Sequence, residues 1–259
     1  MIDNIQKMIF AGCSFTYGHG LWHYTKEEGL PKDDRVVHDF EFPKSLSFMK
    51  NNRFPKLVSR HFNSHEILKP TTSGSDMVSL EFVKGLFGIN RSSKWSQIKL
   101  NYDQVSHLIF QTSFLDRCNL YEGDKELSIY DFNSNHKGIE VREEVAFFWD
   151  KLKNYYFNEI ITLFETLEDK NIKCYMISMT DDYQDLIEKN EYIQSRLIEI
   201  EYDSKLFNNF LNLFDYNKKL SIVNDTDFFD DPPKDLHPTL EWHKIVANSI
   251  IKRIETDFS

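Results

Sequence analysis

Lys7-Met8-Ile9-Phe10-Ala11-Gly12-Cys13-Ser14-Phe15-Thr16-Tyr17-Gly18 is an apolar run that stops at a glycine and presents a serine. A short run of this kind, closed by Gly12, reads as a buried strand entering a turn and not as an amphipathic helix. In an open α/β sheet ligands gather outside the carboxyl ends of the strands, so a side chain just past the first strand stands at the natural site. Gly12 and Gly18 let the backbone pass close to a bound group, and the Thr16 hydroxyl can hold the turn. Ser14 is therefore the candidate nucleophile, with its neighbour Cys13 as the rival. Alternation along an extended segment aims the two side chains to opposite sides, so only one of them faces a site.

A serine hydroxyl is a poor nucleophile unless an imidazole takes its proton and a carboxylate steadies the imidazolium that results. Both groups stand at the other end of the chain. Asp235-Leu236-His237-Pro238-Thr239 precedes an apolar-periodic run through Trp242, Ile245, Val246, Ile250 and Ile251 that reads as a helix.

With these two segments the chain resembles the SGNH, or GDSL-like, serine hydrolase superfamily. The family's first block surrounds a serine near the N-terminus, and its last block is an Asp-x-x-His or Asp-x-His before a terminal helix. The Gly-Cys-Ser-Phe-Thr form of the first block places the chain nearest the divergent members. By that resemblance Ser14 matches the nucleophile, His237 the base and Asp235 its orienter. The second-block glycine, an oxyanion donor together with the N–H of Ser14, matches Gly74 in Thr72-Ser73-Gly74-Ser75-Asp76. The third block departs from the family: where Gly-x-Asn-Asp is usual, this chain has Gln111-Thr112-Ser113-Phe114. Ser113 takes the place of the asparagine donor, and Gln111 shares its strand face.

The resemblance implies a flavodoxin-like fold and an esterase acting on a small acyl ester or acylated saccharide through an acyl-enzyme, with no cofactor and no metal. The same residues permit acyl transfer to an alcohol. A catalytically reduced, glycan-binding member is the alternative that the third block favours.

The 259 residues fit one α/β domain over 1–259, long enough to bury roughly three quarters of the unfolded surface. The formal charge of −10, with no lysine or arginine stripe, argues against nucleic acid as a partner. Three cysteines, Cys13, Cys118 and Cys174, lie far apart without metal spacing and read as reduced thiols. No stretch approaches the ~20 apolar residues of a membrane span, and residues 1–4 carry no signal-like run, so the expected location is cytoplasmic as synthesised.

Strand and helix patterns alternate along the chain. Strands are expected near 67–68, 105–112, 172–179 and 220–223, and helices from Phe54, over 77–83, over 147–167 and after Thr239. With the first strand this predicts a three-layer α/β/α sandwich on a mostly parallel sheet of about five strands. Residues 19–52, charged and punctuated by Gly29, Pro31 and Pro43, read as a loop or lid, and 120–141 as an excursion from the core. His19 and His23, four apart, would pair on a helix, but no third ligand is indicated and a metal site is not expected. His243 reads as a structural histidine of the terminal helix.

Overall fold

The computed structural model describes residues 6–32, 41–68, 75–89, 99–113, 151–257 and, for the backbone alone, 119–122, 125–128 and 139–150. Its centre is a parallel sheet of four strands in the order β2-β1-β3-β4, formed by β1 (Lys7–Ala11), β2 (His65–Leu68), β3 (Val105–Gln111) and β4 (Lys173–Ile177). Phe10 pairs with Leu68 on one side and Ile109 on the other, and Phe110 pairs with Met176.

Among the helices that frame this sheet and its site are α1 (Ser14–Tyr17), α2 (Pro43–Asn52), α3 (Phe54–His61), α4 (Asp76–Leu86), α5 (Ile139–Glu168) and α6 (Leu240–Asp257). Strand alternation sorts the core into two layers. Ile9, Ala11, Leu108 and Phe110 pack with Leu80 and Val83 of α4 and with Ile160 and Phe164 of α5. Met8, Phe10 and Ile109 pack on the opposite face with Phe54 and Val58 of α3 and with Trp242, Val246 and Ile250 of α6. Both faces are covered, which is why β1 and β3 are almost continuously apolar; each such side chain contributes roughly 1.5–3 kcal/mol on burial. Asn171, at φ 63°, turns the chain from α5 into β4 in the left-handed conformation that asparagine tolerates.

The three-layer α/β/α expectation holds, with one strand fewer. Residues 220–223 form two short 3-10 turns, Lys218–Leu220 and Ile222–Asn224, and do not join the sheet. Their backbone is spent on the loop before α6: Ile222 N–H donates to His237 O at 2.9 Å, Val223 N–H to Asp235 O at 2.8 Å, and Thr239 N–H to Leu220 O at 2.8 Å. The apolar run is real, but it clamps a loop.

The loop reading of residues 19–52 also needs correction at both ends. Leu21–Thr25 is a 3-10 helix and Pro43–Asn52 an α-helix with proline in its first turn, and Leu21, Trp22, Leu46 and Met49 make a small buried cluster between them. Residues 33–40 lie outside the described set, as do 123–124 and 129–138 of the expected excursion; of its described residues, Asn119–Glu122 pairs antiparallel with Lys125–Ser128, and 139–141 already belong to α5. Among the described residues no helix is long and apolar enough to cross a membrane.

The chain runs from β1 outward to β2 and then back across to β3, so the topological switch point lies between the carboxyl ends of β1 and β3. Ser14 follows one of these ends and Ser113 the other.

Candidate active site

Cys13 is still extended (φ −98°, ψ −159°), and the chain then turns at once into α1, closed by Tyr17 N–H on Cys13 O at 3.1 Å and Gly18 N–H on Ser14 O at 3.0 Å. Gly18 sits at φ 84°, and a Cβ there would lie 2.7 Å from Cβ of Arg53, so the turn needs glycine. This geometry sets Ser14 at the rim while Cys13 points into the core. The Cys13 Sγ accepts the Gln111 amide at 3.0 Å and packs in the apolar layer of α3 and α6.

Ser14 Oγ lies 3.0 Å from Nε2 of His237, and His237 Nδ1 lies 2.7 Å from Oδ1 of Asp235. The His237 backbone N–H also donates to that oxygen, at 2.8 Å. Thus the three residues picked from opposite ends of the sequence meet in a hydrogen-bonded line. Asp235 is fully buried. Burial pushes its carboxyl up, but hydrogen bonds with His23 and His237 outweigh that and hold it well below the usual carboxylate range. The Phe15 ring stands edge-on to His237 with 5.7 Å between centroids, and Trp242 packs behind Phe15.

Two further imidazoles adjoin this line. His23 Nε2 lies 3.1 Å from the other carboxylate oxygen of Asp235. His19 Nδ1 lies 3.2 Å from both ring nitrogens of His237. An atom equidistant from both nitrogens at that range stands over the ring face, since in the plane it would collide with the carbon between them. His19 is buried against Trp22, with 4.1 Å between ring centroids. Burial and the neighbouring His237 hold its pKa down to about 3 against the pull of Asp235, so it stays uncharged near neutrality. Sequence spacing had offered His19 and His23 only as a metal pair. Ligand atoms of His19, Asp235 and His237 do lie within 4.8 Å of one another. A metal, however, needs the in-plane lone pair of each imidazole, and the face-on approach of His19 does not bring its lone pair and those of His237 to one point.

On the far side of Ser14 the polar groups are engaged with each other. Thr16 Oγ1 donates to Oε1 of Gln111, whose amide nitrogen donates to Cys13 Sγ and to Thr112 O, each at 3.0 Å. A Cβ on Gly12 would stand 2.3 Å from Thr16 Oγ1 and 2.9 Å from Gln111 Cβ, so glycine lets the nucleophile turn lie on this side chain. Gln111, expected as an oxyanion donor, is instead a buried brace between β3 and the turn. Ser113, also buried, gives its backbone N–H to Oδ1 of Asp76 at 2.7 Å; the second oxygen of Asp76 accepts the Tyr183 hydroxyl at 2.6 Å. Gly74 lies outside the described residues. His243 is completely buried, accepts the Phe54 N–H at 3.3 Å, and is held to about 3 by burial together with the nearby Arg53 charge, as a structural histidine.

No protein-family model matches the chain. The search of curated proteins likewise gives no match. Among solved structures, it is similar to a carbohydrate esterase whose active site is described as having divergent catalytic and non-catalytic binding functions. That likeness has a TM-score of 0.47 at 12% identity and covers 96% of this chain and 68% of the other. A protein described as lipolytic and of the G-D-S-L family, from Desulfitobacterium hafniense DCB-2, gives a TM-score of 0.42 at 9% identity over 96% of this chain and 99% of that one.

Proposed function

We propose that this chain is a serine hydrolase of carboxylic esters of the SGNH kind, with Ser14 as nucleophile, His237 as general base and Asp235 as its orienter. The observation that carries the reading is the continuous line from Ser14 Oγ through His237 to a buried, ionised Asp235, at 3.0 and 2.7 Å. In this mechanism Nε2 of His237 takes the hydroxyl proton as Oγ attacks the ester carbonyl carbon. The tetrahedral intermediate then collapses, the C–O bond to the alcohol breaks, and His237 returns the proton to the leaving oxygen. Water repeats the sequence on the acyl-enzyme and releases the carboxylic acid. The oxyanion donors of this reading are the N–H groups of Ser14 and Gly74, with Ser113 as the third.

We extend the proposal to a short acyl group on a saccharide. Tyr24 donates to Asp225 at 2.5 Å and accepts the Leu240 N–H at 3.3 Å, so its ring is tied to both arms of the loop that carries His237. With Phe228, 4.7 Å away and half exposed, it offers an aromatic face of the sort on which a sugar ring can lie. A glycan-binding protein without turnover is the second reading, favoured by one observation: Gln111 and the Ser113 N–H, at the place of the missing asparagine, are engaged within the protein.

Turnover of an activated acetate ester separates the two. The parent chain hydrolyses it, and Ser14→Ala lowers kcat by on the order of 10⁶. A Ser14→Ala protein as fast as its parent overturns the assignment.

A further inference from the structure

Residues 19–25, just after the nucleophile turn, supply a wall of the site. Within Leu21–Thr25 the side chains of Leu21, Trp22 and His23 are buried, and His23 is only 5% exposed. Its Nε2 reaches Oδ2 of Asp235 at 3.1 Å, while Oδ1 is taken by the ring and backbone nitrogens of His237. Because Asp235 is sealed from solvent, each hydrogen bond to its charge must come from the protein, and a buried carboxylate oxygen without a donor is costly.

The approach of this segment to the loop is close enough to dictate sequence. Gly20 stands at φ 92°, and a Cβ on it would lie 2.7 Å from Cδ1 of Ile222, 2.9 Å from Cβ of His237 and 3.1 Å from Oδ2 of Asp235. Only glycine lets the backbone pass at a distance from which the His23 ring meets the carboxylate. A carboxylate held at one oxygen can swing about its Cβ–Cγ bond. One held at both keeps Oδ1 in line with Nδ1 of His237.

We propose that His23 is a positioning residue, an Nε2–H donor that grips the second oxygen of Asp235 and keeps the carboxylate aimed at His237. Its catalytic consequence rests on the serine hydrolase reading; the contact itself does not. The groups facing the pair are His19 over the ring of His237, Ser14 at its Nε2, and, further off, the buried His243 and the Arg53 charge. Loss of the His23 donor would leave Oδ2 unpaired and concentrate the carboxylate charge on His237. A carboxylate free to swing would orient His237 less well. His23 does not touch Ser14, so KM should stay as it is while kcat falls.

The test is NMR assignment of the histidine ring tautomers in the full chain, for the parent, His23→Phe and His23→Gln, alongside ester kinetics. In the parent, His23 should carry its proton on Nε2 at mildly alkaline pH. His23→Phe should lower kcat about ten- to a hundredfold at constant KM. His23→Gln, whose amide N–H takes the place of Nε2, should recover most of that loss. A parent His23 protonated on Nδ1, a kcat unmoved in the Phe variant, or a Gln variant no better than Phe, each overturns the proposal. Should His23→Phe not fold, the parent tautomer and the Gln variant decide. If the NMR results are as expected while the parent hydrolyses no ester, the hydrolase reading falls and the positioning contact stands.

Discussion

The two sides of Ser14 are both buried, polar and densely hydrogen-bonded, yet they are built to opposite ends. On the base side, His237, Asp235 and His23 form a line that points at the serine and ends there. On the other side, Gln111 ties Thr16 to Cys13 and the Thr112 carbonyl, and Asp76 separately takes the Ser113 N–H and the Tyr183 hydroxyl. A buried polar group must find a partner, so polar density alone does not distinguish a reactive wall from a structural one. What distinguishes them is whether the chain of partners ends at a nucleophile.

If that contrast is right, the largest loss comes from the base side. Asp235→Asn keeps the shape of the loop but leaves His237 without a charge to stabilise its imidazolium; kcat on an activated ester should fall by on the order of 10⁴ while the unfolding midpoint changes little by comparison. A variant of nearly full activity would mean that another group orients the base.

Acid should expose the burial of the imidazoles. Burial holds His19 and His243 to about 3 and His107 to about 4, whereas each titrates near ~6.5 in the unfolded chain. Between those values unfolding takes up a proton at each, so the stability is full above ~6.5 and declines as pH falls, with a slope of about 4 kcal/mol per pH unit for three protons. The depressed Asp235 carboxyl adds a loss of the same sign below ~3.9, as its folded pKa is approached from above. Urea midpoints measured across this range check the slope; a flat profile from neutrality to pH 5 would contradict the burial of neutral imidazoles.

The sharpest comparison within the oxyanion side is between Ser113 and Gln111. Ser113→Ala should lower kcat by about 10²–10³ with KM held, as for loss of one oxyanion donor. Gln111→Ala should instead cost about 1–3 kcal/mol of stability, since it strands the buried Thr16 hydroxyl and opens space beneath the turn. Were Gln111→Ala as stable as the parent but slow, its role as a brace would be wrong.

The parts of this arrangement legible in the sequence are those with a local cause. The apolar run 8–11 ending at Gly12, and Asp235 two residues before His237 at the head of an apolar-periodic helix, each carry their own signal. Residues 220–223 were misread because an apolar run shows that a segment is buried but not what it pairs with; its partner is the loop at 235–239. The helix Pro43–Asn52 was hidden by its shortness and its serines and asparagines, although Pro43 at its start and the i, i+3 pair Leu46 and Met49 were there to be read. His23 had no such signal, for its partner lies 212 residues away. Gln111 had the chemistry of an oxyanion donor, and only the engagement of its amide with Cys13 and Thr112 shows otherwise.

The central claim, that the base line ends at a reactive serine, is tested most directly by a fluorophosphonate probe followed by peptide mapping. The account predicts one labelled residue, Ser14, with labelling abolished in Ser14→Ala, slowed in Asp235→Asn and absent from Cys13. An unlabelled parent protein, or a label carried by Cys13 or another serine, would contradict it.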